Sequence, residues 1–160
     1  MRKSLEAVCG IAFFFQVWIT LDALWGPHRL PARIAIHFDL AGNPNGWGSP
    51  GSLAILPLVT LGLYLLVTVL SGVPDLFNYP VEVTDENRER LQAISIQLLR
   101  WIKTEVVCLF AWISWMCIQG ARIPTGKMAP YSIFGSVTIC FVVVIIATIV
   151  FSAVSMGRNR

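Results

Sequence analysis

The sequence predicts an all-α integral membrane protein with four transmembrane helices, a structured non-helical outer loop between helices 1 and 2, and a cytoplasmic extension of helix 3. Hydrophobic residues make up 56% of the 160 residues, charged residues only 13%, and the mean hydropathy is +0.69. Soluble domains average about 45–50% and about 25% for the same two classes. A hydrocarbon core roughly 30 Å thick needs about 20 apolar residues per helix. The chain therefore has room for four spans and little else.

Four apolar runs supply these spans, and together they form one four-helix domain over residues 1–160. The spans are predicted at about 5–25, 53–70, 101–120 and 131–155, with the outer loop at 26–51 and a cytoplasmic loop and helix start at 71–100. The charged start Met1-Arg2-Lys3 resembles that of a signal peptide, but no small-residue cleavage pattern follows the first run. We expect the first span to be a retained signal anchor.

Polar residues interrupt the first span. Gln16 and Thr20 are four positions apart and share one helix face, so we expect this face to contact another helix through hydrogen bonds. Asp22 follows near the outer end. An acid inside a span is costly and often functional, whereas a place in the headgroup region beside Arg29 or Arg33 would give it no special role. Both alternatives are open from the sequence.

The outer loop is dense in signals for non-helical structure. Pro27 and Pro31 stop the first helix. The β-branched and aromatic residues of 33–38 predict a short extended segment, in which Arg33, Ala35, His37 and Asp39 would share one face. Asn45-Gly46 suits a turn with positive φ. Ser49-Pro50 predicts an N-cap and the first position of the next helix.

The third span continues a longer helix. Thr84 has the character of an N-cap, and a helix from there to Gln119 would have about 35 residues and a length of roughly 52 Å. Its first half should project into the cytoplasm or lie along the membrane surface. Arg100, Lys103 and Glu105 then mark the inner boundary, where long side chains can extend toward water.

Lysine and arginine placement predicts the orientation, because such residues are retained on the cytoplasmic side. The side of the termini would carry eight of them: Arg2, Lys3, Arg88, Arg90, Arg100, Lys103, Arg158 and Arg160. The side of the outer loop would carry four: Arg29, Arg33, Arg122 and Lys127. We expect both termini in the cytoplasm and the loop outside. The net charge of +3 is divided across the membrane and does not indicate nucleic-acid binding; the bilayer is the expected partner.

The loop offers little catalytic chemistry. His37-x-Asp39 is its compact ligand pair and Asp22 could add a third group, but a zinc site needs about three or four protein ligands. A nucleophile motif, a phosphate loop and paired carboxylates are all missing from the sequence. We therefore predict a non-enzymatic protein without a cofactor, and keep a metal- or proton-handling protein centred on Asp22, His37 and Asp39 as an alternative. Four cysteines are expected to be small buried hydrophobes: Cys9, Cys108, Cys117 and Cys140.

A shaped loop can instead recognise a peptide or protein partner. The candidate contact residues are Pro31, His37, Asp39, Gly42, Asn43, Pro44, Gly46 and Trp47. The competing interpretation is that His37 and Asp39 only hold the loop backbone in shape.

Two stretches resemble a known family. The first is Leu30-Pro31-x-Arg33-Ile34-x-Ile36-His37-Phe38-Asp39-x-x-Gly42-Asn43-Pro44-Asn45-Gly46-Trp47-Gly48-Ser49. It resembles the signature of a small bacterial membrane domain of unknown function found at the N-terminus of SdpI-like immunity proteins. The second is similar to single-domain members of that group and comprises Phe77-Asn78-Tyr79-Pro80-Val81-x-Val83-Thr84-x-Glu86-Asn87 and Leu98-Leu99-Arg100-Trp101-Ile102-Lys103-x-Glu105.

The resemblance implies a multi-pass protein of the bacterial cytoplasmic membrane. It further implies protection against a secreted peptide toxin, or signalling through a sequestered repressor. An accessory subunit of a larger membrane complex is a further alternative, which the sequence leaves open.

Overall fold

The computed structural model describes residues 2–38, 43–123 and 131–157. Four α-helices and one two-stranded sheet form the part of the chain that it describes. Their bounds are α1 Arg2–Trp25, β1 Ile34–Phe38, β2 Pro44–Gly48, α2 Ile55–Leu70, α3 Arg88–Arg122 and α4 Tyr131–Gly157, with short 3-10 helices at Pro50–Ala54 and Pro74–Leu76.

Each of the four helices is long and apolar enough to cross a membrane. The candidate spans are Lys3–Trp25, Pro50–Leu70, Arg88–Arg122 and Val137–Gly157. They indicate a multi-pass membrane protein and confirm the prediction of a mostly helical chain with four candidate spans. The apolar surface of α4 agrees with this, because most of its side chains between Ile139 and Val154 are exposed and would meet lipid.

The longest helix, α3, is the centre of the packing, since α1, α2 and α4 all contact it. It has 35 residues, the length predicted from the sequence. Its regular part begins at Arg88, later than the predicted N-cap Thr84. The backbone N–H of Thr84 donates to Oδ1 of Asn87 over 2.9 Å, and its carbonyl accepts from the N–H of Arg88 over 3.0 Å. An irregular turn therefore precedes the helix.

The polar face of α1 packs on α3, as predicted. Gln16 is fully buried, and its Nε2 donates to Oγ of Ser114 over 2.9 Å and to the carbonyl of Phe110 over 3.3 Å. The Thr20 hydroxyl donates to the carbonyl of Gln16 over 2.8 Å. Cys9 is buried beside Thr104. The prediction of four buried cysteines is confirmed for Cys9 alone, because Cys108 and Cys117 are only partly buried. It is wrong for Cys140, which is exposed on α4 because that helix buries little of its surface.

Two charged side chains of α3, which were predicted to extend toward water, are buried instead. Lys103 and Glu105 are 4% and 8% exposed, so neither side chain extends toward water. The physical reason is that each has a partner on another helix. Lys103 Nζ lies 2.6 Å from Oε1 of Glu6 on α1, and the Thr148 hydroxyl on α4 donates to Oε1 of Glu105 over 3.0 Å.

Candidate functional site

The segment between α1 and α2 is a β-hairpin with an anchored base. Leu30 and Ile34 are buried in an apolar cluster with Ile19, Leu53 and Ile118. The Leu30 N–H donates to the carbonyl of Ala23 over 2.8 Å and ties the chain back to α1. At the other end of the hairpin, Ser49 caps the 3-10 helix by accepting from the N–H of Gly51 over 3.1 Å. The predicted extended segment and the predicted cap are both present.

The strands pair in antiparallel fashion with an irregular register. Ala35 lies opposite Trp47 and His37 opposite Gly46, so Ile36 has no direct partner and forms a bulge. The bulge breaks the simple alternation of faces: Ala35 is buried and His37 is exposed. The prediction that these two side chains share a face is therefore wrong.

The predicted turn at Asn45-Gly46 is also wrong, because both residues lie inside β2. The glycine is needed there for a different reason. A Cβ atom on Gly46 would lie 2.9 Å from Cβ of His37, so only a residue without a side chain allows the two strands to approach this closely. At Gly48 a Cβ would lie 2.7 Å from Cδ1 of Ile36, but this atom is the end of a flexible side chain that can shift, so the requirement for glycine is weaker there.

We name four of the exposed side chains on this anchored base the hairpin surface: Arg33, Ile36, His37 and Trp47. Trp47 is 47% exposed, and Cζ of Arg33 lies 5.9 Å from its ring centroid, within the range of a cation–π contact. An exposed aromatic ring with a cation beside it is suited to contact with a partner rather than to covalent chemistry.

The other predicted contact residues are distributed unevenly. Pro31 is exposed, whereas Asn43 and Pro44 are partly buried beside the strands. Asp39 and Gly42 lie outside the described residues. The candidate pair His37-x-Asp39 therefore contributes one described member, His37.

Asp22 lies near the C-terminal end of α1 in a small polar cluster. Its Oδ1 is 3.3 Å from Nδ1 of His28, and its Oδ2 accepts from Nη2 of Arg122 over 3.3 Å. The neighbouring cavity, about 290 Å³ in volume, also has Trp18 and Trp115 in its walls. The predicted neighbours Arg29 and Arg33 are replaced here by Arg122, which is 100 residues away in the sequence and gave no local signal.

Within residues 2–38, 43–123 and 131–157, no group of three or more His, Cys, Asp or Glu side chains could hold a metal ion. Asp22 is engaged with His28 and Arg122, and His37 packs against Gly46. The described residues thus provide contact surfaces and ion pairs more readily than a ligand set.

Residues 11–61 match the family model of a domain of unknown function, DUF1648. The match confirms the predicted resemblance to such a domain and covers most of α1, the hairpin and the beginning of α2. Searches of curated proteins and of solved structures gave no match. The hairpin surface and Asp22 both lie within the DUF1648 segment.

A second polar cluster lies outside the DUF1648 segment and was missed by the sequence reasoning. We name it the inner cluster: Glu6, Tyr64, Thr68 and Lys103. The Tyr64 hydroxyl donates to Oε2 of Glu6 over 2.9 Å, while Lys103 Nζ lies 4.5 Å from the Tyr64 ring centroid and 3.4 Å from the Thr68 hydroxyl. The available signal in the sequence was that charged residues stand within apolar runs. Nothing in the sequence indicated that these residues pair across three helices.

Proposed function

We propose that this chain is a non-enzymatic protein of the bacterial cytoplasmic membrane whose hairpin surface recognises a peptide or protein partner outside the cell membrane. One observation carries the proposal. The hairpin displays Trp47, Ile36 and His37 to the surroundings while its base is fixed by buried Leu30 and Ile34.

The residue types support recognition. Tryptophan and arginine are enriched among the residues that dominate binding energy at protein interfaces, and here Arg33 lies beside the Trp47 ring. A base packed into the core lowers the ordering cost of binding, because the strands are already in place before a partner arrives. The hairpin is therefore a preformed contact surface.

The outer location of the hairpin rests on charge. Eight lysines and arginines fall on the side of the termini and four on the side of the hairpin. Lys103 is buried against Glu6, which leaves seven of the eight positive charges on the side of the termini. Arg122 is paired with Asp22, which leaves three of the four on the side of the hairpin. The bias toward cytoplasmic termini is retained.

The resemblance to SdpI-like proteins narrows the kind of partner. It favours immunity to a secreted peptide toxin, or signalling in which a bound partner is reported to the cytoplasm. The hairpin surface offers a cation and apolar groups, which would suit a peptide that combines apolar residues with an acidic or carboxylate group.

The test uses a photoreactive phenylalanine analogue in place of Ile36, with Trp25 as the matched control position. Trp25 is 76% exposed at the outer end of α1 and lies outside the hairpin surface. We expect irradiation of cells challenged with membrane-active peptides to capture a peptide or protein at position 36 and only lipid at position 25. Capture of lipid alone at both positions would contradict the proposal.

A functional readout accompanies the crosslinking. Expression of the wild-type chain should raise survival under the same peptides, Trp47→Ala should abolish this protection, and Trp25→Ala should retain it. Survival that does not depend on expression would argue against immunity. The crosslinking experiment alone would then decide whether the hairpin surface binds a signalling partner.

Orientation has its own test. In a background with all cysteines replaced by alanine, a membrane-impermeant maleimide should label Asn45→Cys in intact cells and leave Glu86→Cys unlabelled until the cells are opened. The opposite pattern would place the hairpin in the cytoplasm.

A second candidate function, metal or proton handling, is favoured by the pairing of Asp22 with His28 and Arg122 beside a cavity. It predicts proton flux into vesicles containing the protein that is lost in His28→Gln, or bound metal that is lost in His37→Ala. Equal flux and equal, negligible metal content in wild type and variants would remove this candidate. Native co-purification of a stable partner protein would instead indicate an accessory subunit of a membrane complex.

A further inference from the structure

A groove lies between α3 and α4, and none of its lining residues belongs to the hairpin surface. Its volume is about 690 Å³, within the range of about 300–1,000 Å³ that is typical of small-molecule sites. On α3 it extends from Ala93 to Glu105, and on α4 from Val143 to Ser155. The walls are mostly apolar, with Leu98, Trp101 and Phe151 among them.

Two buried polar groups in this groove have unused hydrogen-bonding atoms. Glu105 is 8% exposed; its Oε1 accepts from the Thr148 hydroxyl, but among the described residues no donor reaches its Oε2. Nε2 of Gln97 is also buried without an acceptor. A buried carboxylate is costly unless it is paired and hydrogen-bonded. An occupant that carries a donor and a positive charge would satisfy Oε2 and balance the charge of Glu105 together.

Two cations of α3 are engaged with other partners. Lys103 is bound to Glu6 and contacts Tyr64 in the inner cluster. Arg90 donates to the carbonyls of Ser155 and Met156 at the end of α4. The groove thus keeps a carboxylate that these two side chains do not neutralise.

The depth of Glu105 indicates the shape of the occupant. At 1.5 Å per residue, Glu105 lies about 25 Å along α3 from Arg122, so a hydrocarbon core roughly 30 Å thick that began at that arginine would include it. Gln97, about 12 Å further along the helix, would then lie at headgroup level. A phospholipid would put its acyl chains against Glu105 and leave the carboxylate unpaired. The occupant must carry its donor on the part that lies beside Glu105.

We propose that this groove binds a lipophilic ammonium compound, with an apolar body between α3 and α4 and an ammonium group that donates to Oε2 of Glu105. Charge complementarity and the mostly apolar walls select such a cation over a neutral lipid or an anionic one. The site involves neither the hairpin surface nor the direction in which the hairpin faces, so it stands or falls separately from the proposed recognition function.

The experiment uses the full chain in lipid nanodiscs with decylamine as the probe and decanol as its neutral analogue. Trp101, which is 40% exposed and lines the groove, reports occupancy through its fluorescence, and a Trp101→Phe background identifies its share of the signal. We expect saturable binding of decylamine and at least about 10-fold weaker binding of decanol, because only the ammonium brings a positive charge to the carboxylate.

The Glu105→Gln variant removes the charge and keeps the side-chain shape. We expect it to weaken decylamine binding by about 10- to 100-fold and to leave decanol binding unchanged. The control is Glu89→Gln on the exposed first turn of α3, which should bind decylamine as the wild type does.

Two outcomes would overturn the site. One is equal binding of decylamine and decanol to the wild type, which is measurable even if Glu105→Gln fails to fold. The other is a correctly folded Glu105→Gln protein that binds decylamine with wild-type affinity.

Discussion

The ammonium nitrogen of Lys103 lies 2.6 Å from a carboxylate oxygen of Glu6, and this ion pair joins α3 to α1. The Tyr64 hydroxyl donates to the other oxygen of the same carboxylate and brings in α2. Three helices therefore share one charged contact. In surroundings where each ion alone would be poorly solvated, the contact selects the arrangement of helices that keeps both ions paired.

Lys103→Met should destabilise the protein by about 3 kcal/mol, at the lower end of the cost of breaking a buried pair because the Glu6 side chain is 35% exposed. The measurement is reversible unfolding in mixed micelles. Lys3→Met, an exposed lysine on α1, should change the free energy of unfolding by less than about 0.5 kcal/mol. Adding Glu6→Gln to Lys103→Met should recover part of the loss; a double variant no more stable than Lys103→Met would argue against an ion-pair role.

Ser114→Ala removes the hydroxyl that accepts from Gln16 between α1 and α3. We expect a loss of about 0.6–2 kcal/mol, the range measured for hydrogen bonds between membrane helices. Ser71→Ala is the control, since the Ser71 hydroxyl donates only to the carbonyl of Val67 in its own helix region. Unfolding in the same micelles provides the comparison, and equal effects of the two variants would show that the α1–α3 contact does not depend on this bond.

Gly46→Ala should disturb the hairpin, because its new Cβ would lie 2.9 Å from Cβ and 3.0 Å from Cδ2 of His37. Overpacking of this kind costs typically about 1–3 kcal/mol. Hydrogen exchange followed by mass spectrometry should show faster exchange in the strand residues 34–38 and 44–48. Gly10→Ala has open space around its Cβ position and should leave hairpin exchange unchanged. Unaltered exchange in Gly46→Ala would mean that the strands are not packed this closely.

Arg90→Met should loosen the end of α4. Its guanidinium donates to the carbonyl of Ser155 over 3.0 Å and to that of Met156 over 3.2 Å, which places a cation at the negative end of the helix dipole. Loss of these bonds should speed exchange of the last turns of α4 by about 10-fold or more, because hydrogen bonds to charged groups contribute about 1.5–3 kcal/mol. Arg88→Met is the control, with its 4.0 Å exposed pairing to Asp75. If both variants exchange alike, Arg90 does not hold this helix end.

The sequence was sufficient for features that depend on local composition. Apolar runs predicted four helices, Ser49-Pro50 predicted the cap before α2, and the spacing of Gln16 and Thr20 predicted a face directed at protein. It also predicted an extended segment at 33–38, which is present as β1. Each of these follows from residues that are close to one another in the sequence.

Features that depend on long-range contacts were not predictable in the same way. Lys103 was expected to extend toward water from the membrane boundary, and nothing local pointed to its partner Glu6, 97 residues earlier. Arg122 had no signal that linked it to Asp22. Asn45-Gly46 has the composition of a turn, yet pairing with β1 and the bulge at Ile36 hold it within a strand. In each case tertiary pairing overrides the local preference.

The two charged members of the inner cluster are synthesised at different times. Glu6 is made 97 residues before Lys103, and chains grow at about 5–20 residues per second, so the carboxylate exists for roughly 5 to 20 s before its cation emerges. During that interval α1 and α2 can be near each other through Glu6 and Tyr64, but the charge stays uncompensated by Lys103. The ion pair can form only after α3 has been synthesised, so the packing of the first three helices is completed at that stage.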